Sequence, residues 1–148
     1  MIVALLVGIA TLTVGLVWPI PYIATPAWEV WVVDETGQPL ESMTVRLVYQ
    51  NHSSEETRHE VDALTDSLGH VQFLEQRSSA SVARYLVYSV RSGMAGIHAS
   101  FGRHAGVFAF GHGRQGDSIT GDILTDWTGT PPRMSSRIVA KLLPPIRR

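Results

Sequence analysis

The sequence predicts an all-β body, a sandwich of seven to nine short strands, preceded by one N-terminal hydrophobic helix. Three observations lead there. From Trp28 onward, apolar and polar residues alternate in short runs at the period-2 spacing of a pleated strand. Turn residues interrupt these runs at intervals of roughly 8 to 12 positions. No stretch of this body repeats apolar residues at i, i+3, i+4 and i+7 over a dozen positions, as a packed helix would.

The totals narrow the classes. With 148 residues the chain holds one domain plus a short extra segment, and about 120 residues remain after the apolar leader, enough to bury a core. A net charge of −1 and no basic block disfavour a nucleic-acid groove. There is no cysteine, which removes disulfides, thiolate catalysis, Cys-ligated zinc and iron–sulfur chemistry.

Residues 1–27 read as a transmembrane anchor or a signal peptide, with 28–148 as the folded domain. Ile2 to Val17 carries no charge, and counting on to Ile23 gives a run of about 20 residues, long enough as a helix for a ~30 Å hydrocarbon core. Pro19 and Pro21 disturb its outer end, where Trp18, Tyr22 and Trp28 take the place of interfacial aromatics. No Lys or Arg precedes the run, so an uncleaved anchor through residues 1–23 fits better than a cleaved leader. Either way the domain is expected on the exported side, periplasmic or extracellular, or secreted if the leader is removed.

Taken in order, Trp28 to Val33 forms the first strand, with Val30 and Val32 on one face and Trp31 and Val33 on the other. Asp34 to Pro39 is a tight turn, in which Gly37 supplies positive φ and Pro39 presets its own. Met43 to Gln50 alternates, with Met43, Val45, Leu47 and Tyr49 on one side. His59–Thr65 and His70–Leu74 flank the turn Asp66–Gly69 and read as a hairpin. Arg84 to Arg91, β-branched and aromatic, is the strongest strand expectation of all. Gly96–Phe101 and Gly106–Phe110 form a further hairpin, Gly111–Gly116 a flexible loop, Ile119–Leu124 a strand, and Ser136–Leu143 the closing one.

Two of these stretches carry a resemblance. Val30-Trp-Val-Val-Asp34-Glu-Thr-Gly37-Gln-Pro39-Leu40, then Val45-Arg-Leu47, then Leu64-Thr65-Asp66-Ser-Leu-Gly69-His-Val71-Gln-Phe73 resembles the carboxypeptidase regulatory-like domains. Their pattern is a V-x-D-x-x-G-x-P-L opening followed by T-D-x-x-G-x-V/F-x-F. The resemblance covers about a third of the chain and implies a transthyretin-like, Ig-like sandwich. It also implies a non-catalytic role beside exported machinery, since peptidase activity in that family belongs to a separate domain. Transthyretin-like hydrolases of 5-hydroxyisourate look similar at the opening, but they place a catalytic His where Trp31 stands and end in Tyr-Arg-Gly-Ser. This chain ends Pro-Pro-Ile-Arg-Arg, so that activity is not expected.

Chemistry-bearing residues are sparse. The six histidines are His52, His59, His70, His98, His104 and His112, with no H-E-x-x-H, H-x-H or EF-hand spacing. If a metal were held, His98, His104 and His112 with Asp117 would be the candidates. The loop Gly111–Gly116 lacks the Lys-Ser/Thr of a phosphate-binding loop. Trp28, Trp31 and Trp127 could form a sugar or partner platform, but the simpler expectation puts Trp31 in the core and Trp28 near the membrane surface.

The reading is thus a membrane-tethered, exported sandwich, not an enzyme, with no cofactor, that binds or braces a protein partner in the cell envelope through open sheet edges. The alternative is a small-ligand or metal-binding envelope protein using its His-containing loops.

Overall fold

The computed structural model describes residues 1–94, 96, 100–116, 119–122 and 133–144. The chain opens with helix α1, Ile2–Val17, of 16 residues. At 1.5 Å per residue that is about 24 Å, short of the ~30 Å hydrocarbon core. Trp18 leaves the helix in an extended conformation, and both Pro19 and Pro21 lie beyond its end. Ile20–Thr25 is a strand, β1, where the sequence suggested more helix. No helix among the described residues is long and apolar enough to cross a membrane. The expectation of an anchor through residues 1–23, and of a membrane-tethered exported domain resting on it, is therefore corrected.

The rest is mostly β: β2 Ala27–Val33, β3 Thr44–Asn51, β4 His59–Leu64, β5 His70–Phe73, β6 Gln76–Ala80, β7 Arg103–Gly111, β8 Arg114–Gly116, β9 Ile119–Asp122 and β10 Arg133–Leu142. β1 and β6 pair as a separate antiparallel ribbon. The remaining strands follow one path, β4-β3-β7-β8-β10-β2-β5, with β9 alongside β7. β10 makes this path continuous. Its first part runs parallel to β2, from Arg133 opposite Ala27 to Val139 opposite Val33. Its last part pairs antiparallel with β8, Ala140 to Leu142 against Gly116 to Arg114. The inner faces enclose one apolar core, which includes Trp28, Val30, Val32, Met43, Val45, Leu47, Phe73, Val107, Ala109 and Ile138. The β-rich body is as expected; its described strands form the two-stranded β1–β6 ribbon and one eight-stranded sheet.

The alternation read from β3 holds: Met43, Val45 and Leu47 are buried, with Thr44 and Arg46 on the outer side. For β2 the parity holds but the side assigned to each Trp is reversed. Trp28 is fully buried and its indole N–H donates to Ser136 Oγ at 2.9 Å, whereas Trp31 lies on the outer face and is partly exposed. A strand alternates strictly, so residues three apart must face opposite ways. With Val30 and Val32 inside, Trp28 joins them and Trp31 cannot.

The Asp66–Gly69 turn forms, but its flanking strands do not pair. β4 joins β3 and β5 joins β2, at the two ends of the path. Around this turn the two motif stretches meet. The Val32 N–H donates to Gly69 O at 2.8 Å, and the Leu40 N–H to Val32 O at 3.0 Å. The Thr65 hydroxyl donates to Leu40 O at 2.6 Å and accepts from the Met43 N–H at 2.9 Å. Gly69 has φ +69°, and a Cβ there would overlap the Val32 carbonyl oxygen and approach Leu40 N to 3.0 Å. Both turns are organised by an aspartate. Asp34 Oδ1 accepts from the Thr36 hydroxyl at 2.7 Å and from the Thr36 and Gln38 N–H groups, and Asp66 Oδ1 accepts from the Leu68 and His70 N–H groups, each at 2.9 Å. These bonds to the ionised form hold both carboxyls below the usual aspartate range, led by the Thr36 hydroxyl for Asp34 and the His70 N–H for Asp66.

Three local expectations are corrected. Arg84–Arg91 is not a strand but the centre of helix α2, Val82–Met94. Ser81 starts it, its Oγ accepting from the Arg84 N–H at 3.2 Å and its carbonyl from the Tyr85 N–H at 3.1 Å. Val82, Leu86, Val90 and Met94 then repeat every four residues along one side, a helical stripe that β-branched composition masked. α2 lies against α1, and Asn51 Nδ2 donates to Tyr85 Oη at 3.1 Å. Arg77–Val82, a Ser-rich stretch expected to be a connection, instead supplies most of strand β6, Gln76–Ala80, and the first residue of α2. The stretch after Gly111 is a hairpin, with His112 (φ 49°) and Gly113 (φ 70°) both in the left-handed region between β7 and β8. Of the Gly96–Phe101 strand, residues 97–99 lie outside the described residues, as does the end of Ile119–Leu124.

Two substitutions probe the stability of the junction. Gly69→Ala should cost roughly 2–4 kcal/mol, because it adds backbone strain to a steric overlap with a carbonyl, and Thr65→Val roughly 1–3 kcal/mol by orphaning a buried N–H and C=O. Urea unfolding measures both; a loss below about 0.5 kcal/mol for either would show that the junction relaxes freely. The aspartates give a pH dependence. Their folded pKa values are lowered, so their contribution is present above the unfolded value and is lost as pH falls through the folded one. Acid titration should therefore destabilise the wild type over the range below the ordinary aspartate pKa, and the Asp34→Asn/Asp66→Asn variant should show a flatter profile there.

Candidate ligand cleft

The two motif turns build more than a junction. Between them, on the outer face of β2 and β10, lies a cleft of about 390 Å³ lined by Trp31, Val33, Gly37, Pro39, Leu68 and Arg137. The volume falls within the ~300–1,000 Å³ of small-molecule sites. Register explains how the side chains gather. Arg137 of β10 stands opposite Trp31 of β2, and Trp31 stands opposite His70 of β5, so guanidinium, indole and imidazole succeed one another across three strands. The indole and imidazole rings touch, with centroids 4.9 Å apart and planes tilted by 41°.

Each wall has a local cause. Pro39 and Gly37 belong to the Asp34 turn, which is closed by the Asp34 N–H donating to Gln38 O and the Gly37 N–H donating to Asp34 O. Gly37, at φ +85°, brings its backbone under Arg137, whose Nη2 would lie 3.6 Å from a Cβ there. Leu68 projects from the Asp66 turn and is 72% exposed, an apolar side chain held in water by its turn position. Arg137 has no ion-pair partner among the described residues. The Trp31 indole N–H makes no hydrogen bond among them either. His70 Nε2 is buried without a partner, while Nδ1 sits 3.9 Å from Asp66 Oδ2. The arrangement offers a flat aromatic face, two apolar walls and an uncommitted cation, with an orphaned imidazole nitrogen behind the indole.

The histidines named as metal candidates do not come together. His98 and Asp117 lie outside the described residues, as does Trp127. His104 opens β7, with Nε2 donating to Phe101 O at 2.8 Å, and His112 stands just past its end, with Nε2 bonded to Ser42 O at 3.2 Å. An extended strand of that length separates them by roughly 26 Å, so they cannot share an ion. Among the described residues no three of His, Asp and Glu converge. His104 instead approaches His52, and the two rings meet edge to face with centroids 5.1 Å apart.

One further polar cluster serves the fold. Glu55, in the β3–β4 loop, has a side chain only 10% exposed. Its carboxylate accepts from Tyr22 Oη at 2.5 Å and Ser78 Oγ at 3.1 Å, and its other oxygen meets His59 Nε2 at 2.9 Å. It fastens the β1–β6 ribbon to the main body, and the Arg103 guanidinium adds a bond to Ile23 O at 2.7 Å. Burial, then the nearby Glu55 and Tyr22, raises the Tyr49 phenol. Sequence reading missed Arg137 and the exposed placement of Trp31. The strict parity of β2 set Trp28 and Trp31 on opposite faces without saying which is buried; for Arg137 there was no signal, because its place depends on the parallel pairing of β10.

No family model matches the chain, and no curated protein does. Solved structures with a similar course include chlorocatechol 1,2-dioxygenase from Pseudomonas putida, at TM-score 0.47 and 14% identity over 83% of this chain and 61% of that one. Another is 3-chlorocatechol 1,2-dioxygenase from Rhodococcus opacus 1CP, at TM-score 0.45 and 15% identity over 79% and 59%. The chain thus covers less than two thirds of either. Both are enzymes, which departs from the expectation of a non-catalytic, partner-bracing envelope module. At TM-scores below 0.5 they carry no reaction, substrate or metal over to this chain.

Proposed function

We propose that the chain binds a small molecule that joins a flat apolar body to a carboxylate, in the cleft between the two turns. The observation that carries this is the Arg137 guanidinium, without an ion-pair partner among the described residues, beside the outward face of Trp31 in a cleft of about 390 Å³. An exposed arginine without a carboxylate is ordinary. One set across the strand from an outward-facing Trp, with Pro39 and Leu68 as apolar walls, supplies both halves of a recognition site. The flat body stacks on the indole, whose large face interacts well with planar groups. The carboxylate meets the guanidinium, whose fork matches it in two parallel hydrogen bonds. The free indole N–H adds a donor at the same rim.

The body that carries the cleft is, on this reading, a carboxypeptidase regulatory-like sandwich. Support comes from the two motif stretches, which form the two aspartate turns and meet at Thr65 and Gly69.

The test uses 2-naphthoate and its uncharged amide, 2-naphthamide, as probes, with binding tracked by nitrogen-labelled NMR of the indole and guanidinium groups. The acid should shift the Trp31 indole resonance and bind better than the amide. Arg137→Gln should weaken the acid by roughly ten- to a hundredfold, the worth of a charge-assisted hydrogen bond, and leave the amide almost unchanged. Trp31→Ala should weaken both. Equal binding of acid and amide, or an Arg137→Gln variant that binds the acid as well as the wild type, would defeat the proposal.

A further inference from the structure

A second concavity lies on the outer face of β3 and β7, distinct from the Trp31 cleft. It has a volume of about 150 Å³, and its lining includes Val48, Gln50, His52, His104, Gly106 and Phe108. Cross-strand register produces it. Gly106 stands opposite Val48 and leaves an opening where a side chain would be, and His104 stands opposite Gln50. His52, two residues past Gln50, is held over the same spot because its N–H donates to Gly102 O at 2.8 Å.

Three groups in this notch have electron pairs to give. His104 bonds through Nε2 to the Phe101 carbonyl, which can only accept, so in the neutral ring the proton sits on Nε2 and the Nδ1 lone pair is free. A carbonyl behind one imidazole nitrogen is the usual support for a histidine whose other nitrogen binds a metal. His52 has no hydrogen bond from its ring among the described residues. Gln50 donates through its amide nitrogen to the Glu55 and Glu56 carbonyls at 3.1 and 3.0 Å, leaving its side-chain oxygen uncommitted. The nearby Arg58 is already engaged with Glu60 at 2.8 Å.

The ring spacing is compatible with two ligands on one ion. With metal–nitrogen bonds of about 2.1 Å and a tetrahedral angle, two imidazole centroids lie roughly 5 Å apart; those of His52 and His104 are 5.1 Å apart. We propose that His52 and His104, with the Gln50 side-chain oxygen, hold a borderline divalent cation such as Zn²⁺, with water completing the tetrahedron. Two nitrogens and a neutral oxygen select Zn²⁺ over Mg²⁺, which prefers an all-oxygen octahedron.

The experiment is a titration of the full chain, without a histidine tag, by Zn²⁺ and separately by Mg²⁺, monitored through imidazole NMR resonances and calorimetry. A single equivalent of Zn²⁺ should shift the His52 and His104 resonances and leave those of His70 and His112 in place; Mg²⁺ should do neither. His52→Ala or His104→Ala should each weaken Zn²⁺ about tenfold or more, while His112→Ala should not. The wild-type resonances identify the ligands even if a variant folds poorly. Shifts confined to other histidines, no binding, or a His52→Ala/His104→Ala variant with wild-type affinity would overturn the assignment.

Discussion

The Thr65 hydroxyl joins two distant parts of the chain by giving its proton to Leu40 O and receiving one from the Met43 N–H. Both partners are backbone groups, and Thr65 is buried, so water cannot replace the hydroxyl. Next to it, Gly69 passes under the Val32 carbonyl so closely that no side chain fits, and its own carbonyl takes the Val32 N–H. These contacts set where β2 ends, where β3 begins, and at what height the Asp66 turn crosses between them. Since β4 and β5 leave that turn for opposite ends of the strand path, the position of most of the body depends on one hydroxyl and one missing Cβ.

That constraint explains why an outer-face cleft is built here. The turn backbones are tied at several points: two aspartates bond them, and the junction holds the turns against each other. Pro39 and Leu68 are therefore carried on well-held backbone rather than on long loops. A ligand meeting them loses little to ordering the site, which is the main cost that preorganised binding avoids. The parallel pairing of β10 with β2 then places Arg137 beside Trp31. The floor comes from regular strands and the walls from pinned turns.

Different parts of this were legible in the sequence to different degrees. Asp34, Gly37, Pro39, Asp66 and Gly69 mark their turns because each residue type answers a backbone need that few others meet. The alternation of β3 was equally plain. For β2, parity showed that Trp28 and Trp31 must face opposite ways, and only the fold decides which is buried. α2 misled because Tyr, Val and Leu favour strands on composition, while the Ser81 cap and the four-residue spacing of Val82, Leu86, Val90 and Met94 pointed the other way. β-pairing partners were not legible: the Asp66 turn looks like a hairpin locally, and its strands pair elsewhere because the core on each side claims them. The approach of His52 to His104 depends on that same long-range register, which is why the metal candidates chosen by nearness in sequence fell on opposite ends of β7.

Charge accounts for the remaining feature of the surface. Among the described residues, Arg46, Arg58, Arg77, Arg91 and Arg114 each face a carboxylate. Arg46 is held by Asp62 on two hydrogen bonds, and that pairing raises its pKa further. These pairs are largely exposed, and exposed ion pairs contribute little to stability but leave little unbalanced field. Arg137 has no such partner among the described residues. It sits within a strand, its neighbours across the ladder are aromatic, and nothing acidic on the outer face of β2 reaches it. On the proposed reading an anion from outside the chain completes it, and the apolar walls around it set what else that anion carries.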